Sequence, residues 1–98
     1  MTSSQRKYLR GLAHKLKPVV FVGKEGVSAD ILKATATALD DHELIKIRFV
    51  ENKTRKKELA AMICKETSSN LAGMVGHVAI VYRPSRHAKK RKLNLPAV

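Results

Sequence analysis

Residues 19–28, which read VVFVGKEGVS, decide the fold of this 98-residue chain. A short, unbroken run of β-branched and aromatic residues predicts a strand that is buried on both faces. The two glycines around Lys24 and Glu25 predict a tight turn, because glycine adopts backbone conformations closed to other residues. Ser28 then predicts the N-cap of a helix, since its hydroxyl can accept a free N–H of the first turn. The stretch therefore predicts a strand, a turn and a helix in direct succession.

The segment that follows contains a helix and a second strand. Apolar residues at helical spacing after Ser28 predict a buried stripe, and residues 44–50 alternate between apolar and polar side chains. Strict alternation is typical of a strand with one buried face, so Lys46 and Arg48 are expected on its exposed face. The expected helical stripe consists of Ile31, Ala34, Ala38 and Leu39.

A basic helix is predicted upstream, over residues 4–17. Its apolar stripe is formed by leucines and an alanine at i, i+3, i+4 and i+7, with Ser3 or Ser4 as the cap and Pro18 as the stop signal. Its polar surface is wholly basic and carries Arg6, Lys7, Arg10, His14, Lys15 and Lys17.

Downstream, a third helix is predicted from about Asn52 or Thr54 to Ser68, followed by strands at residues 71–75 and 78–83 that are joined by a turn. The element order is then αβαβαββ. Strand–helix–strand units favour parallel pairing, and a tight turn favours an antiparallel pair. We therefore expect an α+β two-layer sandwich with a mixed four-stranded sheet over residues 1–84, and a basic, flexible C-terminal tail at residues 85–98.

Positive charge is segregated along the chain. The formal net charge is +12, made up of six basic residues and no acid in residues 1–24, eight of each sign in 25–66, and six basic residues and no acid in 67–98. Basic ends of this kind indicate a polyanionic partner, because each contacted phosphate releases condensed counterions.

Several classes of function are disfavoured. The apolar runs are too short for a membrane span or a signal peptide, so a cytoplasmic protein is expected. The single cysteine, Cys64, lies among apolar neighbours and predicts a buried, inert thiol. The histidines show no zinc-ligand spacing, and no nucleophile has an assignable base or orienting group. We expect no catalytic residue, no metal, no cofactor and no small-molecule substrate.

The loop at residues 23–26 is the most informative motif. A glycine pair before a helix N-terminus lets a phosphate approach the backbone, and Lys24 adds a positive charge. A second pair, Gly73 and Gly76, has an apolar centre and precedes a strand, so a bend or bulge is expected there, with Met74 and Val75 packed in or beside the core.

Aromatic stacking is not expected to contribute. The chain has no Trp, and its four aromatic residues fall in apparent core patterns, so binding should depend on phosphate contacts and RNA shape. The predicted RNA-binding residues are Gly23, Lys24, Glu25, Gly26, Arg6, Lys7, Arg10, His14, Lys15, Lys17, Lys46, Arg48 and Arg83.

The sequence resembles the CRM domain (chloroplast RNA splicing and ribosome maturation), and closely its single-domain bacterial YhbY type. The matching stretches are residues 9–14 (LRGLAH) with Pro18-Val19, the loop at 23–26, residues 42–47 (HELIKI), and Gly76-His77 with residues 81–84 (VYRP). They cover nearly all of residues 4–84.

The resemblance implies a sheet like that of the C-terminal domain of translation initiation factor 3, with an added N-terminal helix. It also implies RNA binding through the GXXG loop and the neighbouring basic surface, with ribosomal RNA in large-subunit precursors as the expected partner. Separately, we expect a monomer. A structural ribosome-associated protein and a general RNA chaperone or splicing-type RNA binder remain open alternatives. Membrane-surface binding by the first helix is a weaker one, because that helix has a narrow leucine stripe without Trp or Phe.

Overall fold

A computed structural model describes residues 1–85 and residue 93. The elements follow the predicted order αβαβαββ, which confirms the α+β class. They are α1 (Ser3–Ala13), β1 (Val20–Val22), α2 (Ala29–His42), β2 (Leu44–Phe49), a short 3-10 turn (Lys53–Arg55), α3 (Lys56–Thr67), β3 (Asn70–Val75) and β4 (Val78–Tyr82). The expected basic tail lies outside the described residues, apart from Ser85 and Leu93.

The four strands form one mixed sheet in the order β1-β2-β4-β3. β1 and β2 are parallel, as the helix between them requires, whereas β4 is antiparallel to both of its neighbours. The last of the described strands is therefore inserted between β2 and β3. A register shift between Leu71 and Gly73 places a bulge in β3, at the glycine where a bend or bulge was expected.

The main core lies between one face of the sheet and helices α2 and α3. Alternate residues of each strand point into it, and Ser28 caps α2 as predicted by accepting the Ile31 N–H at 3.2 Å. Cys64 is buried there, and desolvation raises the pKa of its thiol, which outweighs the lowering effect of a hydrogen bond with Ser69. The buried strand residues are Val20, Val22, Ile45, Ile47, Phe49, Ala79 and Val81, and they meet Leu39, Leu59, Ala60 and Ile63 of the helices.

Helix α1 packs on the opposite face of the sheet and so adds a partial third layer. Leu9 and Ala13 are fully buried against residues of β2, β3 and β4, so this part of the apolar face of the helix is covered by the sheet. Thr2, rather than Ser3 or Ser4, caps α1 in a reciprocal capping box with Gln5.

The first helix ends at Ala13, four residues earlier than the predicted end at residue 17. Residues after it must turn the chain toward β1, and the Leu16 N–H closes a turn by donating to Ala13 at 2.9 Å. The Lys46 ammonium then binds the Leu16 carbonyl oxygen at 3.0 Å. The connection is therefore held by the sheet and not by a continued helix.

The expectation that β1 is buried on both faces is wrong. Val20 and Val22 point into the core, but Phe21 is 54% exposed and Val19 is 49% exposed. β1 lies at the edge of the sheet, and α1 packs on β2, β3 and β4. The outer face of β1 consequently remains open to solvent, and with it an aromatic side chain that the sequence pattern had placed in the core.

Candidate nucleic-acid interface

The loop at residues 23–26 forms a β-turn between β1 and α2. The Gly26 N–H donates to the Gly23 carbonyl oxygen at 3.1 Å, and Gly26 has a φ of +66°. A residue with a Cβ is strained in that conformation, which explains why glycine stands at the end of the turn. Lys24 and Glu25 occupy its exposed tip.

Asn52, which the sequence reasoning did not identify as a site residue, holds this loop in place. Its side-chain Nδ2 donates to the carbonyl oxygens of Gly23 and Lys24 at 3.0 and 3.3 Å. Asn52 itself has a φ of +56°, a left-handed conformation that asparagine tolerates better than most residues. The sequence shows only that an asparagine lies in the polar connection after β2. It does not show that the Asn52 side chain reaches the loop at residues 23–26.

The loop is not strongly positive by itself. A shallow concavity of about 360 Å³ is lined by the loop and by the first turn of α2. Lys24 is accompanied there by two carboxylates, those of Glu25 and Asp30. The helix N-terminus attracts an approaching phosphate, and the two negative charges oppose that attraction.

A second concavity, which we call the basic groove, lies between α1 and the open part of the sheet. It measures about 230 Å³, and no carboxylate lines it. Its floor is apolar, with Pro18, Val75, Val78 and Ile80, and its cationic or ionisable side chains are Arg10, His14, Lys46 and Arg48. The structure thus brings together four predicted site residues from two separate elements.

Backbone carbonyl groups position two cations of the basic groove. Arg10 donates to the Ala72 carbonyl oxygen at 3.1 Å, and Lys46 donates to that of Leu16 at 3.0 Å. The aliphatic part of Arg10 crosses Gly73 so closely that a Cβ on that residue would lie 2.5 Å from the Arg10 Cδ. Gly73 is therefore required for this close approach, and the groove is partly preorganised before any ligand binds.

A third group of positive charges lies beside the β3–β4 turn. The Lys56 ammonium donates to the Gly76 carbonyl oxygen at 2.6 Å and lies 3.2 Å from the His77 Nδ1. Desolvation, followed by the charges of Lys56, Lys53 and Arg48, lowers the pKa of His77. The His77 imidazole therefore lies in a region of positive potential. This region is at the same end of the sheet as the glycine loop.

The second glycine pair belongs to the same hairpin and not to a phosphate loop. Met74 packs against the main core as expected. The expectation for Val75 is wrong, because its side chain is 63% exposed and contributes to the basic groove. β3 is an edge strand, and α1 does not extend over its last residue.

The remaining predicted site residues fall into two groups. Arg6 donates to the Met1 carbonyl oxygen at 3.0 Å, and Lys7, Lys15 and Lys17 are exposed on α1 or just after it. Arg83 is different, because its side chain is only 11% exposed.

The Arg83 guanidinium makes structural contacts with three partners. It donates to the Asp40 carboxylate at 2.7 Å and to the carbonyl oxygens of Thr67 and Ala36 at 2.8 and 3.1 Å. Its donors are thus directed toward α2 and the end of α3. We accordingly leave Arg83 out of the candidate interface. The same contacts explain why an acid is tolerated at the C-terminal end of α2, where the helix dipole disfavours it.

Two further classes of site are absent from residues 1–85 and 93. No three of their His, Cys, Asp and Glu side chains are grouped so as to hold a metal ion. Within the same residues, every helix is too short or too polar to cross a membrane.

The sequence matches the family model of the CRS1 / YhbY (CRM) domain over residues 1–83. It is 37% identical over 90 residues to a protein of Haemophilus influenzae named RNA-binding protein, with 91% of each chain covered. It is 34% identical to the probable RNA-binding protein YqeI of Bacillus subtilis, covering 95% of this chain and 98% of that one.

A solved structure has the same fold. It is the solution structure of the Staphylococcus aureus protein SAV1595, a candidate RNA-binding protein, with a TM-score of 0.81 and 35% sequence identity. The match covers 98% of this chain and 99% of that one. The likeness therefore extends over the whole arrangement of sheet and helices described above.

Proposed function

Since this chain belongs to the CRS1 / YhbY (CRM) domain family, we propose that it binds RNA, as the names of its relatives state for those proteins. The protein acts by binding and not by catalysis, as a monomer in the cytoplasm. Its site needs no metal and no cofactor, because phosphate groups can be held by side-chain cations and backbone N–H groups alone.

The basic groove is the single observation that carries this proposal. Arg10, Lys46 and Arg48 converge on it from a helix and a strand, and it is free of carboxylates. Arginine and lysine at fixed positions neutralise phosphates and release counterions, which supplies most of the affinity of sequence-independent RNA binding. The carbonyl contacts of Arg10 and Lys46 reduce the entropy that these side chains lose on binding.

The glycine loop provides a second contact with the RNA backbone. Its exposed tip presents Lys24, and Asn52 holds the turn in a fixed shape. Glu25 and Asp30 weaken this contact relative to the groove. The RNA therefore follows a path from the groove to the loop, and the positively charged surface of α1, with Arg6, Lys7, Lys15 and Lys17, adds weaker attraction along one side.

A salt titration tests this assignment. With about four to six phosphates contacted, the logarithm of the association constant should fall against the logarithm of salt concentration with a slope of about −3 to −4 for single-stranded RNA. Arg48→Gln should reduce the magnitude of the slope by about 0.7, the expectation for one lost phosphate contact. Lys65→Gln is the matched control, because Lys65 is exposed near the far end of α3. A slope near zero, or equal effects of the two variants, would contradict the proposal.

We further propose that the RNA is ribosomal RNA in precursors of the large subunit, which the likeness to the bacterial YhbY type supports. The protein should then sediment with large-subunit particles, and more with immature than with mature ones. Gradient fractions from growing cells, probed for the protein under low-salt lysis, provide the measurement. Equal retention on mature subunits after a high-salt wash would favour a structural ribosomal protein instead.

A further inference from the structure

We propose that the open face of the sheet, which overlaps the basic groove, is a stacking platform for an unpaired RNA base, with Phe21 at its edge as the main contact. This inference rests on the proposed RNA-binding function and adds to it the kind of RNA that is bound. The platform is a row of four side chains, one from each strand, on the face that α1 leaves uncovered. These are Phe21, Arg48, Val78 and Val75.

The strand register places the four side chains in one line. Phe21 is the direct partner of Arg48, Arg48 that of Val78, and Val78 that of Val75. Directly paired residues point to the same face of a sheet, and neighbouring strands lie about 4.8 Å apart. The row consequently extends about 14 Å across the sheet, which is enough for one or two bases.

Two of the three apolar side chains of the platform are exposed to an unusual degree. Phe21 is 54% exposed and Val75 is 63% exposed, whereas Val20 and Val22, the neighbours of Phe21 in β1, are almost completely buried. A large aromatic side chain left on an open sheet face forgoes the stabilisation that burial gives, and such patches often mark binding surfaces. Phe21 also lies two residues before Gly23, so the platform adjoins the glycine loop.

The charges around the platform favour a nucleic acid over a protein as its occupant. Arg48 lies within the row, and Arg10 and Lys46 line the groove beside it without a neighbouring carboxylate. A base that stacks on Phe21 would place its own phosphates near these cations. Bases in a duplex already stack on one another, so only an unpaired nucleotide can present its face to Phe21.

Substitution of Phe21 separates stacking from phosphate binding. Phe21→Leu removes the aromatic ring but retains an apolar side chain and all charges, so it should weaken binding of a single-stranded RNA at least about fivefold, the lower end expected for one lost base–aromatic stack. Binding of a duplex of the same length should change little, and the salt slope should stay the same. Tyr8→Leu is the matched control, since Tyr8 is 39% exposed on α1 and does not line the groove.

Phe21→Trp provides a direct spectroscopic readout. The natural chain has no Trp, so fluorescence excited at the red edge would report this position alone. The variant should retain single-strand affinity, and its emission should be quenched when single-stranded RNA binds but much less when duplex binds.

Three results would overturn the platform. The first is unchanged single-strand affinity of Phe21→Leu together with no quenching of Phe21→Trp, while the parent protein still binds RNA through the groove. The second is an equal loss of single-strand and duplex binding. The third is a Phe21→Leu protein whose oligomeric state, measured by sedimentation velocity, differs from that of the parent while its RNA affinity is unchanged. That result would identify the row as a surface between two copies of the chain. A parent protein that binds no RNA would instead refute the proposed function itself.

Discussion

The side-chain amide of Asn52 joins the connection after β2 to the glycine loop after β1, by donating to the carbonyl oxygen of Gly23 at 3.0 Å. The two residues are 29 positions apart in the chain. Because Asn52 also adopts a left-handed backbone conformation, it has two separable roles, one in its side chain and one in its backbone.

Two substitutions of Asn52 should distinguish these roles. Asn52→Gly retains the backbone conformation and loses the hydrogen bonds, so RNA affinity should fall about two- to fivefold as the loop loses its fixed shape. Asn52→Ala should reduce affinity equally, but should also lower the free energy of unfolding by about 1 kcal/mol more, because a Cβ is strained at positive φ. Anisotropy titrations and urea unfolding provide the measurements. Full RNA affinity of Asn52→Gly would mean that the loop needs no support from this amide.

The charge at the tip of the glycine loop should tune affinity without affecting the fold. Glu25→Lys should tighten RNA binding a few-fold, because it replaces one of the two carboxylates beside Lys24 with a cation. Lys24→Asp should weaken binding by a similar factor. Both residues are exposed, so melting temperatures should change little. Glu66→Lys, an identical charge change on the exposed surface of α3, is the control. Equal tightening by the two Glu→Lys changes would show that only net charge matters.

RNA binding should become tighter as the pH falls from about 7.5 to about 5.5, the range in which histidines titrate. In the free protein, desolvation and the nearby cations lower the pKa of His77, so its imidazole is neutral at pH 7.5. A phosphate bound nearby would offset those cations and raise the pKa, so that binding takes up a proton. His77→Gln should remove part of this pH dependence, and His42→Gln, at the end of α2, should leave it intact. An unchanged pH profile in His77→Gln would exclude a phosphate at this position.

The same lowered pKa has the opposite consequence for the stability of the free protein. Protonation of His77 is more favourable in the unfolded chain, where its cationic neighbours are dispersed. The contribution of this group to stability is therefore complete above the ordinary histidine pKa and decreases as the pH falls below it. On acidification without RNA, the melting temperature of the parent should therefore fall more than that of His77→Gln. Thermal melts of both proteins, recorded from about pH 7.5 to about pH 5.5, measure this difference.

Removal of the Asp40 carboxylate should damage the fold but not the interface. Asp40→Ala leaves the buried Arg83 guanidinium without its ion-pair partner, which should lower the free energy of unfolding by about 3 kcal/mol. Binding of RNA by the folded protein should be unchanged, because Arg83 points away from the groove and the loop. Urea unfolding and anisotropy at low temperature measure the two effects. A specific loss of affinity in a fully folded Asp40→Ala protein would return Arg83 to the interface.

Much of the fold follows from local sequence patterns. The capped start of α2 at Ser28, the alternation in β2 and the turn at Gly76-His77 each depend on neighbouring residues, and the structure confirms all three. The predicted helix is longer than α1 because Leu12 and Leu16 continue the helical period, although of this apolar stripe only Leu9 and Ala13 are buried against the sheet. Periodicity shows that a face is apolar, but it does not show how far the partner surface extends.

The interface was predicted less completely, for a related reason. Alternation places Lys46 and Arg48 on the outer face of β2 without any knowledge of the tertiary structure, and their role in RNA binding stays a prediction. Phe21 was placed in the core, since an apolar run does not reveal whether its strand lies at the edge of the sheet. The assignment of Arg83 to RNA stays a prediction, but a sequence does not show that its guanidinium is enclosed by α2 and α3. Both features depend on which surface a helix covers, a property of the assembled layers.

The position of β4 has a consequence for synthesis of the chain. Of the four described strands this one is made last, yet it lies between β2 and β3 and pairs with both of them. Until residues 78–82 have left the ribosome, the facing edges of β2 and β3 have no partner, and such edges invite pairing with other chains. A nascent chain cannot complete its sheet gradually from the N-terminus. Folding must therefore wait for the last strand and then close both sides of it together, so that a chain halted before residue 78 is exposed to aggregation.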